Sequence, residues 1–134
     1  MQRNRKRRSE AVEFALVFPV FLALVMGGIE LMWFLSMVSA LHTAVRVGAR
    51  EGSVSSTGTV TANAEAGALA AWNAAGNRAA SISFVATRVG AAPNFQVQLV
   101  GTMGYTSLTG LMPPSMMPAT VVRQVTMHLE DQVD

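Results

Sequence analysis

The distribution of apolar and polar positions divides the chain into a long greasy rod and a patterned remainder. Phe14 to Ile29 is an unbroken apolar run without a charge, and after Glu30 a second apolar stretch continues it from Leu31 to Leu41. As a helix rising 1.5 Å per residue, Phe14 to Leu41 would be about 42 Å long, against roughly 30 Å for a bilayer's hydrocarbon core. The run therefore predicts a membrane-spanning helix that tilts or projects outward. With Glu13 at the inner boundary, Glu30 falls about 25 Å further along the axis, near the outer boundary, where its desolvation cost is modest. Trp33 beside it suits the interfacial aromatic belt.

Past this run the pattern changes twice. Gly52 to Thr59, rich in Ser, Thr and Gly, predicts a flexible joint between a stem and a head. Val60 to Ala75 is alanine-rich, with Ala64, Leu69, Trp72 and Ala75 at helical spacing and Gly76-Asn77 as a stop, which predicts a second helix with Trp72 anchoring a small core. From there the period is two. Ile82, Phe84 and Ala86 share one face of Ser81 to Val89, and Phe95, Val97, Leu99, Met103 and Tyr105 share one face of Phe95 to Tyr105. Val121, Val125, Met127 and Leu129 share one face of Ala119 to Glu130. Three antiparallel strands follow, the first two joined through Gly90-Ala91-Ala92-Pro93-Asn94. Between the second and third, Leu108 to Pro118 mixes methionines with three prolines. This loop is read as a flap packed on the sheet, the competing reading being an exposed subunit contact.

Within the rod, Pro19 lacks an amide hydrogen and predicts a kink or local unwinding one turn past Glu13, with Gly27-Gly28 a second weak point. Ala23 and Gly27 form a small-xxx-small pair that permits close helix approach.

Charge orients the rod. Five of the ten basic residues, Arg3, Arg5, Lys6, Arg7 and Arg8, lie within the first eight positions. Followed so closely by an apolar run, they act as a topology determinant keeping the N-terminus cytoplasmic, not as a nucleic-acid patch. From Glu51 onward three basic residues face five acidic ones, so the outer part is mildly acidic. A cleavable secretory signal shares the basic start, and Val38-Ser39-Ala40 offers a cleavage site. Its apolar core, however, spans only about 7–15 residues, shorter than this run. Glu13 admits two readings. As a carboxylate in the first turn of a helix it would favour the positive end of the macrodipole; as a charge just inside the apolar run it would meet a positive group of another subunit.

The residues Arg7-Arg8-Ser9-Glu10-Ala11-Val12-Glu13-Phe14-Ala15-Leu16-Val17-Phe18-Pro19, with the later Gly27-Gly28-Ile29-Glu30 and Ala44-Val45-Arg46-Val47-Gly48-Ala49-Arg50-Glu51, resemble the start of TadE-like proteins. These are minor pilins or pseudopilins of tight-adherence (Tad/Flp) type IV pilus systems. The closing Thr126-Met127-His128-Leu129-Glu130 is similar to the last strand of that family. The resemblance implies that an inner-membrane prepilin peptidase removes the leader between Arg8 and Ser9. It also implies that Glu13, five positions after the cut, pairs with the new N-terminal amine of a neighbouring subunit. Where the family usually has Gly before the cut, this sequence has Arg8.

Catalytic chemistry has little to stand on. The chain has no cysteine, His42 and His128 have no metal-ligand spacing around them, neither phosphate-loop pattern occurs, and the Ser and Thr residues near Gly52 to Thr61 lack a partnering base. No enzyme and no cofactor are expected.

The sequence thus predicts an α+β, pilin-like architecture: a basic cytoplasmic leader (1–8), a transmembrane stem helix (9–51), a linker (52–59) and an extracytoplasmic α+β domain (60–134). The expected function is a non-enzymatic minor pilin or pseudopilin that primes, caps or assembles a pilus, with Arg8 and Ser9 at the processing site and Glu13, Phe14, Pro19 and Glu30 in subunit assembly. Expected partners are other pilin or pseudopilin subunits, the prepilin peptidase, inner-membrane lipid and the assembly platform, but not nucleic acid. The alternative is a permanently anchored single-pass protein whose periplasmic domain binds a partner without cleavage or filament.

Overall fold

The computed structural model describes residues 3–56, 58–76, 79–91, 93–110 and 115–130, the side chains of residues 3–9 and 11 excepted. The elements are helix α1 (Arg3–Ser53), helix α2 (Val60–Ala74) and strands β1 (Ser81–Val89), β2 (Gln96–Gly104) and β3 (Thr120–His128). The α+β architecture expected from the periods is therefore present, with one long apolar helix, a second helix and a three-stranded antiparallel sheet ordered β1-β2-β3. Asn77, Ala92 and positions 111–114 of the Met/Pro loop lie outside the described residues.

α1 is a single helix of 51 residues that runs unbroken through Pro19 and Gly27-Gly28, so the expected unwinding does not occur. Proline removes one bond of the i to i−4 ladder, and the bonds on either side hold the helix together. Because α1 begins at Arg3, Glu13 lies about three turns inside it, beyond the first turn where a helix dipole acts.

α1 also extends to Ser53, where Gly52 and Ser53 are buried. The connection to α2 is closed by its own hydroxyls: Ser53 Oγ donates to Arg50 O at 2.8 Å, Ser55 Oγ to Glu51 O at 2.6 Å, and Asn63 Nδ2 to Ser55 Oγ at 2.9 Å. This turn folds α2 back against α1, and small residues set how close the two helices come. A Cβ added to Gly48 would lie 2.3 Å from the carbonyl oxygen of Ala64 and 2.6 Å from Ala68 Cβ. Gly67 on α2 leaves the space that the Glu51 side chain occupies.

Both helices cover one face of the sheet. The inward positions of β2, Val97, Leu99 and Met103, are fully buried, and Gly101 between them leaves the gap into which Val45 and Leu41 of α1 descend. A Cβ at Gly101 would meet Val45 Cγ2 at 2.5 Å and Leu41 Cδ1 at 3.0 Å. Met37, Ala44, Ala49, Val60, Ala64, Ala68 and Trp72 complete the core with Val121 and Leu129 of the third strand region. Trp72 is its anchor, as expected. The register pairs Val85, Val100 and Gln124 across the three strands, and β1's outer edge is partly closed because Ala86 N–H donates to Glu65 Oε1 of α2 at 2.9 Å. At the far end the amide of Glu130 donates to Ser53 O, and that of Leu129 to Phe95 O, each at 3.0 Å.

The upper half of α1 is thus a core element of the head. Only its lower part is bare.

Candidate functional site

From Val12 to Val25 every described side chain of α1 is exposed, and nearly all are apolar. A helix apolar on all sides is stable only in a core or in lipid, and none of the described residues covers it. Its mean hydropathy reaches 2.3 and none of that window is buried within the chain. This is a stem long and apolar enough to cross a membrane once.

At its lower end Glu13 is exposed, beside Phe14 and Phe18, whose rings stack with centroids 5.4 Å apart. Pro19 is exposed one residue further. The structure therefore places Glu13, Phe14 and Pro19 together on the bare stem. For Arg8 and Ser9 the backbone is helical and their side chains lie outside the described residues.

Glu30, 17 positions above Glu13, has the opposite environment. It is fully buried, not lodged at a solvated boundary as the sequence suggested. Burying a carboxylate is costly unless its oxygens are saturated with donors, and they are. Tyr105 donates its hydroxyl and Leu108 its amide (2.8 Å) to Oε1, while the amide and hydroxyl of Thr109 both reach Oε2 at 3.0 Å. Phe34, one turn above Glu30, meets the Tyr105 ring edge-on at 5.1 Å. The Tyr105 hydroxyl is pushed up to about 12 by its burial and then by the neighbouring carboxylate. Trp33, expected in an interfacial belt, is half-buried and packs against the head's core.

Sequence reasoning placed Glu30 among the assembly residues without seeing these partners. The signal was faint but present: an acid ending a charge-free run needs donors, and the chain's single tyrosine is followed by Thr106-Ser107-Leu108-Thr109-Gly110, a turn-forming segment with free amides.

The histidines stand apart from this junction. His42 is exposed on α1 and His128 on β3. Among the described residues no group of three His, Asp or Glu side chains could hold a metal ion.

Residues 9–50 match the family model described as TadE-like protein. Over this stretch the stem is similar to TadE-like proteins. The matched segment covers about a third of the chain, from the first residue after the expected leader to the last turns of α1, and includes both Glu13 and Glu30. No curated relative and no solved structure matched the chain. TadE-like proteins belong to tight-adherence pilus systems and are in general non-enzymatic. One N-terminal apolar helix fits a single-pass membrane protein.

Proposed function

We propose that this chain is a minor pilin or pseudopilin that joins other subunits of a tight-adherence pilus in priming, capping or assembly. The observation that supports it best is the division of labour along α1. The lower stem is bare, apolar and carries an exposed Glu13, whereas the upper stem is locked into a head whose carboxylate, Glu30, is already satisfied. A glutamate exposed in a lipid-compatible rod is costly by itself and is stabilised by a cation brought by a neighbour. On this reading Phe14 and Pro19 pack with neighbouring stems. Glu30 serves assembly at one remove, by fixing the head's pose on the stem.

In this role the basic leader faces the cytoplasm, the stem crosses the inner membrane and the head stands in the periplasm. The prepilin peptidase cuts between Arg8 and Ser9, and the freed ammonium of Ser9 supplies Glu13's partner in the next subunit. The assembly platform then draws the stem out of the lipid.

A second reading has its own support in Arg8, which stands where the family usually has Gly: a permanently anchored single-pass protein whose head binds a periplasmic partner. Mass spectrometry of the native N-terminus separates the two. A chain beginning at Ser9 supports the processed subunit; an intact arginine-rich leader overturns it in favour of the anchored form.

A further inference from the structure

The head meets the bare stem at Glu30, and several large apolar side chains are exposed around that junction. The bonds from Tyr105, Leu108 and Thr109 to Glu30 hold the segment after β2 at this level. The opposite end of the head, where Glu130 bonds Ser53, is 23 residues higher on α1, or about 35 Å. The start of β3 belongs to the same lower end as Tyr105, since Tyr105 N–H donates to Ala119 O at 3.0 Å. Three residues before Ala119, Met116 is 72 % exposed; Leu108 is 55 % exposed. On the helix at this height Ile29, Leu31 and Met32 are exposed as well. No Asp, Glu, Lys or Arg occurs between Arg88 and Arg123, so nothing charged in this stretch opposes contact with an apolar phase.

Length then decides what this surface touches. The stem below Glu30, from Val12 to Ile29 and exposed except at the half-buried Met26 and Gly27, is 18 residues, about 27 Å as a helix, against a hydrocarbon core of roughly 30 Å. A span that short leaves no slack between bilayer and head, so the head's lower end is drawn onto the lipid surface.

We propose that Leu108 and Met116 rest in the interfacial layer of the bilayer that the stem crosses, as a second, shallow membrane contact. The lipid surface is the occupant because these side chains continue the apolar surface of the stem at its upper end. The inference rests on the reading of the stem as a membrane span.

The absence of cysteine allows clean single-site labelling of the full chain. Leu22→Cys on the stem, Leu108→Cys and Met116→Cys at the junction and Ala91→Cys at the far hairpin each carry an environment-sensitive fluorophore. The labelled proteins are reconstituted in phosphatidylcholine–phosphatidylglycerol vesicles holding lipids spin-labelled either shallow or deep in the acyl chain. Deep labels quench position 22, shallow labels quench 108 and 116 with a blue shift of their emission, and position 91 responds to neither. If 108 and 116 behave like 91 while 22 is quenched, the loop proposal falls and the span stands. A blue shift at 108 and 116 without lipid quenching means a protein covers them, which overturns the lipid assignment. An unquenched position 22 removes the span and the proposal together.

Discussion

The hydroxyl of Tyr105 donates to the carboxylate of Glu30, joining residues 75 positions apart and tying the end of β2 to the stem. Among the described residues, hydroxyl and amide donors meet the Glu30 carboxylate. Removing one donor to a charged acceptor costs about 1.5–3 kcal/mol. Tyr105→Phe should lower the head's unfolding free energy in detergent by about 2 kcal/mol and speed hydrogen exchange at the amides of Leu108 and Thr109. An unchanged exchange rate there would show that the junction holds without the phenol.

The same pair predicts a titration. Tyr105 is the chain's single tyrosine, so tyrosinate absorbance reports it alone. In the folded chain its hydroxyl is pushed up from the ordinary 10.0 to about 12. The native state then holds a proton that the unfolded state has lost, so this contribution to stability is complete below pH 10 and is lost as pH rises through about 12. Folded protein should show its tyrosinate transition near pH 12, and Glu30→Gln should move it down; a transition near 10 in folded protein would contradict the buried geometry.

Two glycines of α1 should respond oppositely to the same change. Helix propensity alone favours alanine over glycine by about 1 kcal/mol. At Gly28 a Cβ meets nothing within 4 Å, so Gly28→Ala should be neutral or mildly stabilising. At Gly48 the new Cβ would lie 2.3 Å from a backbone oxygen of α2, and overpacking should reverse the sign, with a loss of about 1–3 kcal/mol. Denaturant unfolding of both variants checks the contrast.

Glu65 predicts a local effect. Its carboxylate is the acceptor for Ala86 N–H on the edge of β1. In Glu65→Ala that amide should exchange faster, while amides of β2 keep their protection because their ladder bonds run on both sides.

Glu13 lies far from the core, so Glu13→Ala should leave the head's unfolding curve unchanged while abolishing pilus assembly. Normal assembly by this variant would remove the pairing role.

The periods carried most of this architecture. β1 is found at Ser81–Val89, as its alternation predicts, and α2 runs from Val60 with Trp72 turned into the core, because residue spacing within one element depends on local geometry alone. What spacing cannot carry is a contact between distant segments. Ser53 and Ser55 read as a loose joint because serine hydroxyls favour turns; in the fold they bond the last carbonyls of α1 and hold α2 against it. Glu30 read as a solvated boundary charge because its donors come from a loop beyond β2. Leu108 and Met116, in a segment read as a flap on the sheet, are exposed instead, since Glu30 holds that loop beside the stem.

Continuity of α1 has a mechanical meaning. Apart from the one bond that Pro19 lacks, a single column of backbone hydrogen bonds runs from the greasy foot through the centre of the folded body, where Leu41 and Val45 sit in the notch at Gly101. A pull applied at Phe14 reaches the sheet with no swivel between them, so extraction from lipid would turn and lift the whole body as a single rigid lever.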